Sequence, residues 1–381
     1  MTSRRNFIVD GVSAITASLV GRVWANDVQA NIDGHLLPPW AISLIDGGVR
    51  RYYQWKGEDE TVVFPLMTDC HSWFWGFSRL SMRSREDWVK ATADTLDLDF
   101  RNGENWTDPK LHVLFMRYLA HRCGADFMVD LGDHDFEFSA FGEPIDLELA
   151  KLAMRPYRKL YESETLPTLF ARGNHDHSRG RITDAEYGDL FNRSLNAAKS
   201  SALRLSADGT FGWLDLPKKK FRAVFLNTSR CHVNGLDAEE LQFMVQAFQS
   251  APDGYCVVLL QHIPVLRMQN WRRSIDTEDK NMRVAYSIID SYANRRRDFV
   301  QGWSATAAVN EWKLGDGKVV RWSFKDVGSS FAGAFFGHEH VEDFVCYGNV
   351  PLVTRPGLGT IPPDCLAGEM RDVKNGGLLP K

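Results

Sequence analysis

Five largely apolar runs in this chain each break off into a cluster of carboxylate, imidazole or amide side chains, and that recurrence constrains the fold more than any other property. Thr61 to Met67 leads into Asp69-Cys70-His71, and Asp126 to Leu131 into Gly132-Asp133-His134-Asp135. Leu169 to Ala171 leads into Arg172-Gly173-Asn174-His175-Asp176, Tyr255 to Leu260 into Gln261-His262, and Phe331 to Phe336 into Gly337-His338-Glu339-His340. Runs of this kind read as buried strands. The side chains just beyond them stand where open α/β sheets hold their ligands, at the carboxyl ends of strands. Helical patterns lie between: Lys110 to Cys123, with Gly124 as a stop, then Glu148 to Tyr161 and a stretch opened by Asp237-Ala238-Glu239-Glu240 and running to Phe248. Further helical character falls at Met282 to Phe299, and short strands are expected around Phe344 and Leu352. Strand and helix in alternation predict a layered α/β protein.

The clusters share one chemistry. Seven of the eleven histidines lie in them or beside them. A single histidine is most often a hydrogen-bonded structural residue, but five ordered clusters are a different matter. On an extended segment, alternation puts Asp69 and His71 on one side and Cys70 on the other. Oxygen and nitrogen donors without thiolate suit manganese, iron or zinc. Two such ions ~3.5–4 Å apart, sharing a carboxylate, can hold both oxygens of a phosphoryl transfer.

Charge and cysteine usage exclude other classes. A net charge of -4 argues against a dedicated nucleic-acid binder, and makes long nucleic acid a poor substrate. The six cysteines (70, 123, 231, 256, 346 and 365) contain no C-x-x-C pair, so they fit neither a thiolate zinc site nor a small disulfide framework. They read as buried thiols, with room for one or two long-range disulfides. No apolar run approaches the ~18 residues of a membrane span. No G-x-S-x-G nucleophile motif occurs.

At the N-terminus, Ser3-Arg4-Arg5-Asn6-Phe7-Ile8 precedes a mildly apolar stretch and small residues at Val23 and Ala25. This resembles a twin-arginine signal peptide, with Val9 where lysine is usual and an early Asp10. It implies cleavage after Ala25 and export to the periplasm; the alternative is an amphipathic N-terminal helix on a cytoplasmic protein. Residues 26–60 read as a polar lead-in over the core, punctuated by Pro38-Pro39 and Gly47-Gly48. The organised part is one domain over 61–360, with an insertion at about 264–329, and 361–381 is an irregular tail.

The ordered set Asp69-Cys70-His71, Gly132-Asp133, Gly173-Asn174-His175-Asp176, His262 and Gly337-His338-Glu339-His340 is similar to the five motifs of the calcineurin-like metallophosphoesterase family. Those motifs are D-x-H, G-D-x-x-D, G-N-H-D/E, a lone H and G-H-x-H. One position departs: Phe136 stands where the last Asp of the second motif is expected, and Asp135 is one residue early. The resemblance implies two packed mixed sheets flanked by helices, a four-layer sandwich with the site along the upper edge. It implies that Asp69, His71 and His340 bind one metal, that Asn174, His262 and His338 bind a second, and that Asp133 bridges them. A bridging hydroxide would then be the nucleophile. His175 would donate to the leaving group or to the transition-state oxygens, steadied by Asp176. The activity implied is hydrolysis of a small phosphomonoester or phosphodiester.

Smaller candidates surround this set. His134 and His177 either support the motifs or face substrate. Trp73-Phe74-Trp75 could stack on a base or sugar, with core packing the plainer reading. Arg272-Arg273 and Arg295 to Arg297 could clamp phosphate from a lid in the insertion, against the default of a solvated helix face. The competing functions are a nuclease or cyclic-nucleotide phosphodiesterase, and a metal-binding scaffold without catalysis.

Overall fold

The computed structural model describes residues 31–32, 35–37, 39–55, 61–69, 109–134, 147–176, 182–230, 235–265, 281–294, 309–338, 343–347 and 350–354. The twin-arginine segment and the C-terminal tail lie outside the described residues, as do His71, Trp73, Asp135, Phe136, His177, His340 and both arginine clusters.

A small hairpin, β1 (Asn31–Ile32) and β2 (His35–Leu36), precedes helix α1 (Pro39–Trp55). Then come β3 (Leu66–Met67), helix α2 (Pro109–Cys123), β4 (Met128–Asp130), helix α3 (Leu147–Glu162) and β5 (Thr168–Phe170). A short helix α4 (Asp184–Gly188) continues through a π turn to Asn196. Strands β6 (Leu203–Leu205), β7 (Gly212–Leu216) and β8 (Phe221–Phe225) lead to helix α5 (Ala238–Gln249) and β9 (Cys256–Leu260). The chain closes with helix α6 (Met282–Ala293), the hairpin β10 (Asn310–Lys313) and β11 (Val319–Trp322), then β12 (Ser330–Phe336), β13 (Asp343–Tyr347) and β14 (Val350–Thr354).

Two sheets carry the core. One is three parallel strands in the order β3-β4-β5; the other has seven, ordered β13-β14-β12-β9-β8-β7-β6, with β14, β12, β9 and β8 parallel. Period-2 alternation splits each strand between two faces. Phe127, Val129, Leu131 and Leu169 of the small sheet meet Phe221, Phe225, Val258, Leu260 and Phe335 of the large one. On its other face the small sheet packs Met128 and Phe170 against α1, α2 and α3. The large sheet likewise packs Val257, Leu259 and Phe336 against α5 and α6. Helices, sheet, sheet, helices: the four layers follow from where each apolar face can be buried. An aromatic seam joins the sheets, with Phe64 stacked on Phe127 at 4.9 Å between ring centroids and edge-on to Phe335 at 5.7 Å.

Three segments gain detail that their sequence does not display. The lead-in contains α1, whose buried Ile42, Ile45 and Val49 pack on α2 and whose Asp46 pairs with Arg122 at 2.8 Å. Within the insertion, α6 is buried along most of its length, and Val320 and Trp322 of β11 join the same core. Residues 203–216, which carry no distinct pattern in sequence, form a hairpin that extends the large sheet. The helix expected from Asp237 is present, with Asp237 as its cap and Glu240 returning the bond. Among the described residues no helix is long and apolar enough to cross a membrane.

At the shared carboxyl edge the connecting loops touch backbone to backbone. A Cβ on Gly132 would lie 2.2 Å from the amide nitrogen of Gly173, and Gly132 also has φ +93°. A Cβ on Gly337 would lie 1.9 Å from Thr68 Oγ1. Gly132→Ala therefore combines a left-handed backbone with a steric overlap, and is expected to cost roughly 2–4 kcal/mol. A urea titration checks this; an unchanged midpoint would contradict the packing described.

Candidate metal centre

The loop after β3 places Asp69, that after β4 places Asp133, and that after β5 places Asn174, His175 and Asp176. From the large sheet, β9 delivers His262 and β12 delivers His338. The loops are latched together by backbone bonds: Asp69 N donates to Gly132 O at 2.9 Å, and Gly337 N to His262 O at 2.9 Å. Five of the seven expected ligands lie in the described residues, and the structure brings Asp69, Asp133, Asn174, His262 and His338 to one edge. His71 and His340 lie outside the described residues.

The donor atoms crowd one another. His262 Nε2 stands 3.1 Å from Asp133 Oδ2 and 3.1 Å from Asn174 Oδ1, and His338 Nδ1 stands 2.7 Å from the same Asn174 oxygen. The rings of His262 and His338 meet edge to face at 5.2 Å. Asp133, His262 and His338 each offer an atom within 4.8 Å of the others. Asp69 Oδ2 receives Thr68 Oγ1 at 2.7 Å and the His338 amide at 2.9 Å, which ties the first and last loops together. His262 donates from Nδ1 to Leu131 O at 2.9 Å, and that fixes the tautomer that leaves Nε2 facing the cluster.

The electrostatics favour a cation. Burial lowers the pKa of His262, but Asp133 and then Asp69 outweigh it and raise it to about 9. Burial, together with neighbouring His262, drives His338 down to about 3, so its ring is neutral and one ring nitrogen keeps an available lone pair. A buried set of oxygen and nitrogen donors, anionic on one side and neutral imidazole on the other, fits manganese, iron or zinc. Asn174, His175 and His338 are partly exposed, whereas Asp69, Asp133 and His262 are buried, so the cluster opens on the side of the first three.

Asp176 sits beneath the cluster. Its Oδ2 accepts from Asp133 N at 2.9 Å and Gly173 N at 2.8 Å, and its Oδ1 accepts from His134 N at 2.7 Å. His175 donates its amide to Asp133 Oδ1 at 2.8 Å. His134, a candidate for meeting substrate, is instead buried, its Nε2 2.9 Å from Asp130 Oδ1 and its Nδ1 3.3 Å from Asp176 Oδ1. Burial opposes its charge, but Asp130 and Asp176 raise its pKa well above the ordinary value.

Sequence reasoning passed over Asp130, which accepts from Tyr157 and Tyr161 hydroxyls at 2.7 Å each. The signal was there: a carboxylate between Val129 and Leu131 in a buried strand needs partners. Two tyrosines four apart share the helix face that can supply them. Three of the five non-glycine residues with positive φ among the described residues are Asp69 (53°), Asp133 (56°) and His338 (70°). Each is at the cluster, where backbone strain commonly concentrates.

The model of the calcineurin-like phosphoesterase family matches residues 66–342. The search of curated proteins gives no match. Among solved structures, a dimetal phosphatase from Danio rerio aligns at 14% identity with a TM-score of 0.46, covering 79% of this chain and 89% of its own. A protein of Thermus thermophilus aligns at 9% identity with a TM-score of 0.34, covering 79% of this chain and 92% of its own. The family match takes in all five strand-end clusters, and the loops it covers are those that gather Asp69, Asp133, Asn174, His262 and His338; the chain belongs to the calcineurin-like phosphoesterase family.

Proposed function

We propose that this protein hydrolyses a small phosphomonoester or phosphodiester at a pair of manganese, iron or zinc ions. The observation that carries the reading is the convergence of Asp133, Asn174, His262 and His338 on one point, with Asp69 held beside them. Asp133 would be the shared ligand, Asn174, His262 and His338 would hold one ion, and Asp69 with His71 and His340 the other. When bound, the pair supplies the Lewis acidity that activates water and neutralises phosphoryl oxygens.

The chain's own residues supply the rest. Leu131 O and Asp133 orient the His262 ring, and the His338 amide bond to Asp69 sets the spacing of the two half-sites. His175 is half-buried at the open side, and its amide donates to Asp133 Oδ1 at 2.8 Å, which holds its backbone beside the cluster. From there its ring can hold a proton for a leaving oxygen without joining the ligand set. Phosphoester hydrolysis needs both services: an electrophilic seat for the phosphoryl group and a proton for the alcohol that departs.

Gently purified protein is expected to carry close to two transition-metal ions per chain, and metal-depleted protein to take up two on titration with Mn²⁺ or Zn²⁺. Elemental analysis and calorimetry read the count; saturation at none or one would sink the dinuclear reading. Turnover of reconstituted protein on aryl monoesters, aryl diesters and nucleotides then separates the substrate classes.

A further inference from the structure

We propose that His134 is a positioning residue for Asp133: its ring ties together the two buried carboxylates, Asp130 and Asp176, that grip the backbone on either side of Asp133. Asp130 Oδ1 accepts from Gly132 N at 3.1 Å, and Asp176 accepts from the amides of Asp133 and His134 at 2.9 and 2.7 Å. Three successive amides are thus held, with Asp133 in the middle in a left-handed conformation that a non-glycine residue seldom adopts. His134 stands between the two acceptors, one ring nitrogen toward each, at 2.9 and 3.3 Å. Two carboxylates buried this close to a third, that of Asp133, repel, and the His134 ring is the side chain that stands between them.

The surroundings fix the ring. It lies face to face with Phe191 at 5.0 Å and contacts Tyr157 at 4.7 Å, and Tyr187 Oη is 3.4 Å from Nδ1. Asp130 is in turn anchored by Tyr157 and Tyr161 on α3. The chain of contacts therefore runs from a helix on the outer layer, through Asp130, His134 and Asp176, to the backbone that aims the Asp133 carboxylate. Its role concerns the ligand's placement rather than the substrate, because the ring is buried between the two carboxylates, with a nitrogen 2.9 Å from one and 3.3 Å from the other.

This inference rests on the reading of Asp133 as a metal ligand, and the test keeps the two apart. Full-length protein is stripped of metal and titrated with Mn²⁺ by calorimetry. Kinetics on an aryl phosphate and thermal melting are measured on the same samples. His134→Phe keeps the ring packing and loses both donors; His134→Gln keeps one. In His134→Phe, Mn²⁺ affinity is expected to fall about 10–100-fold, the usual effect of losing a group that orients a ligand. kcat should fall with it while KM stays within about twofold, and His134→Gln should recover part of both. A folded His134→Phe with wild-type Mn²⁺ affinity would overturn the proposal, as would a rise in KM with metal binding intact, which would put His134 in contact with substrate. If His134→Phe does not fold, His134→Gln decides: wild-type affinity there overturns the role. Wild-type protein that takes up no Mn²⁺ would instead bring down the metal-centre reading, and this proposal with it.

Discussion

Asp133→Asn is expected to reduce kcat by more than about 100-fold and to leave no more than one metal ion per chain. Losing a residue that merely supports a ligand typically costs 10–100-fold. Asp133 is placed to do more, because its Oδ2 faces His262 while its Oδ1 is held by the His175 amide. The side-chain amide brought in by this substitution would keep the shape and the His175 bond but lose the negative charge. Two dications a few ångströms apart repel strongly at low dielectric, and without the shared carboxylate both should not stay bound. Elemental analysis and turnover on one preparation check it. Two ions retained in the variant would mean that another carboxylate bridges them, and Asp135 would be the first to test.

His175→Ala is expected to have the opposite profile: both ions retained, the fold intact, and kcat lowered by ~10²–10⁴, the range of a positioned acid. If the ring gives a proton to the leaving oxygen, the loss should be greatest for esters of weakly acidic alcohols and small for activated aryl phosphates. If it stabilises charge on the transferring phosphoryl oxygens, the loss should be similar across the series. Wild-type turnover with two ions bound would defeat both versions. Esters of graded leaving-group pKa, with metal content measured in each sample, distinguish the three outcomes.

Much of this was legible in the residues because the relevant signals are local. An apolar run that stops at Gly-Asp or Gly-Asn-His-Asp announces both a strand end and the chemistry there, and the Asp237 capping box is read from four residues. What escaped depends on partners far along the chain. Helix α1 contains Gly47-Gly48, each costing about 1 kcal/mol against alanine in a helix interior, so propensity argues against it. It exists because Ile42, Ile45 and Val49 find α2, and because Arg122 finds Asp46, contacts that no window around Gly47 contains. His134 offered two readings in sequence, and the approach of Asp176 from the loop after β5, with Asp130 of β4, places it in the interior.

The left-handed backbone at Asp69, Asp133 and His338 bears on whether this domain still works or only keeps its shape. A glycine adopts that conformation without a Cβ clash, so at each of the three positions the native side chain carries a local backbone cost, offset at Asp69 and Asp133 by the hydrogen bonds they accept. Two carboxylates and an imidazole stand at these three places, as the proposed metal-binding role requires.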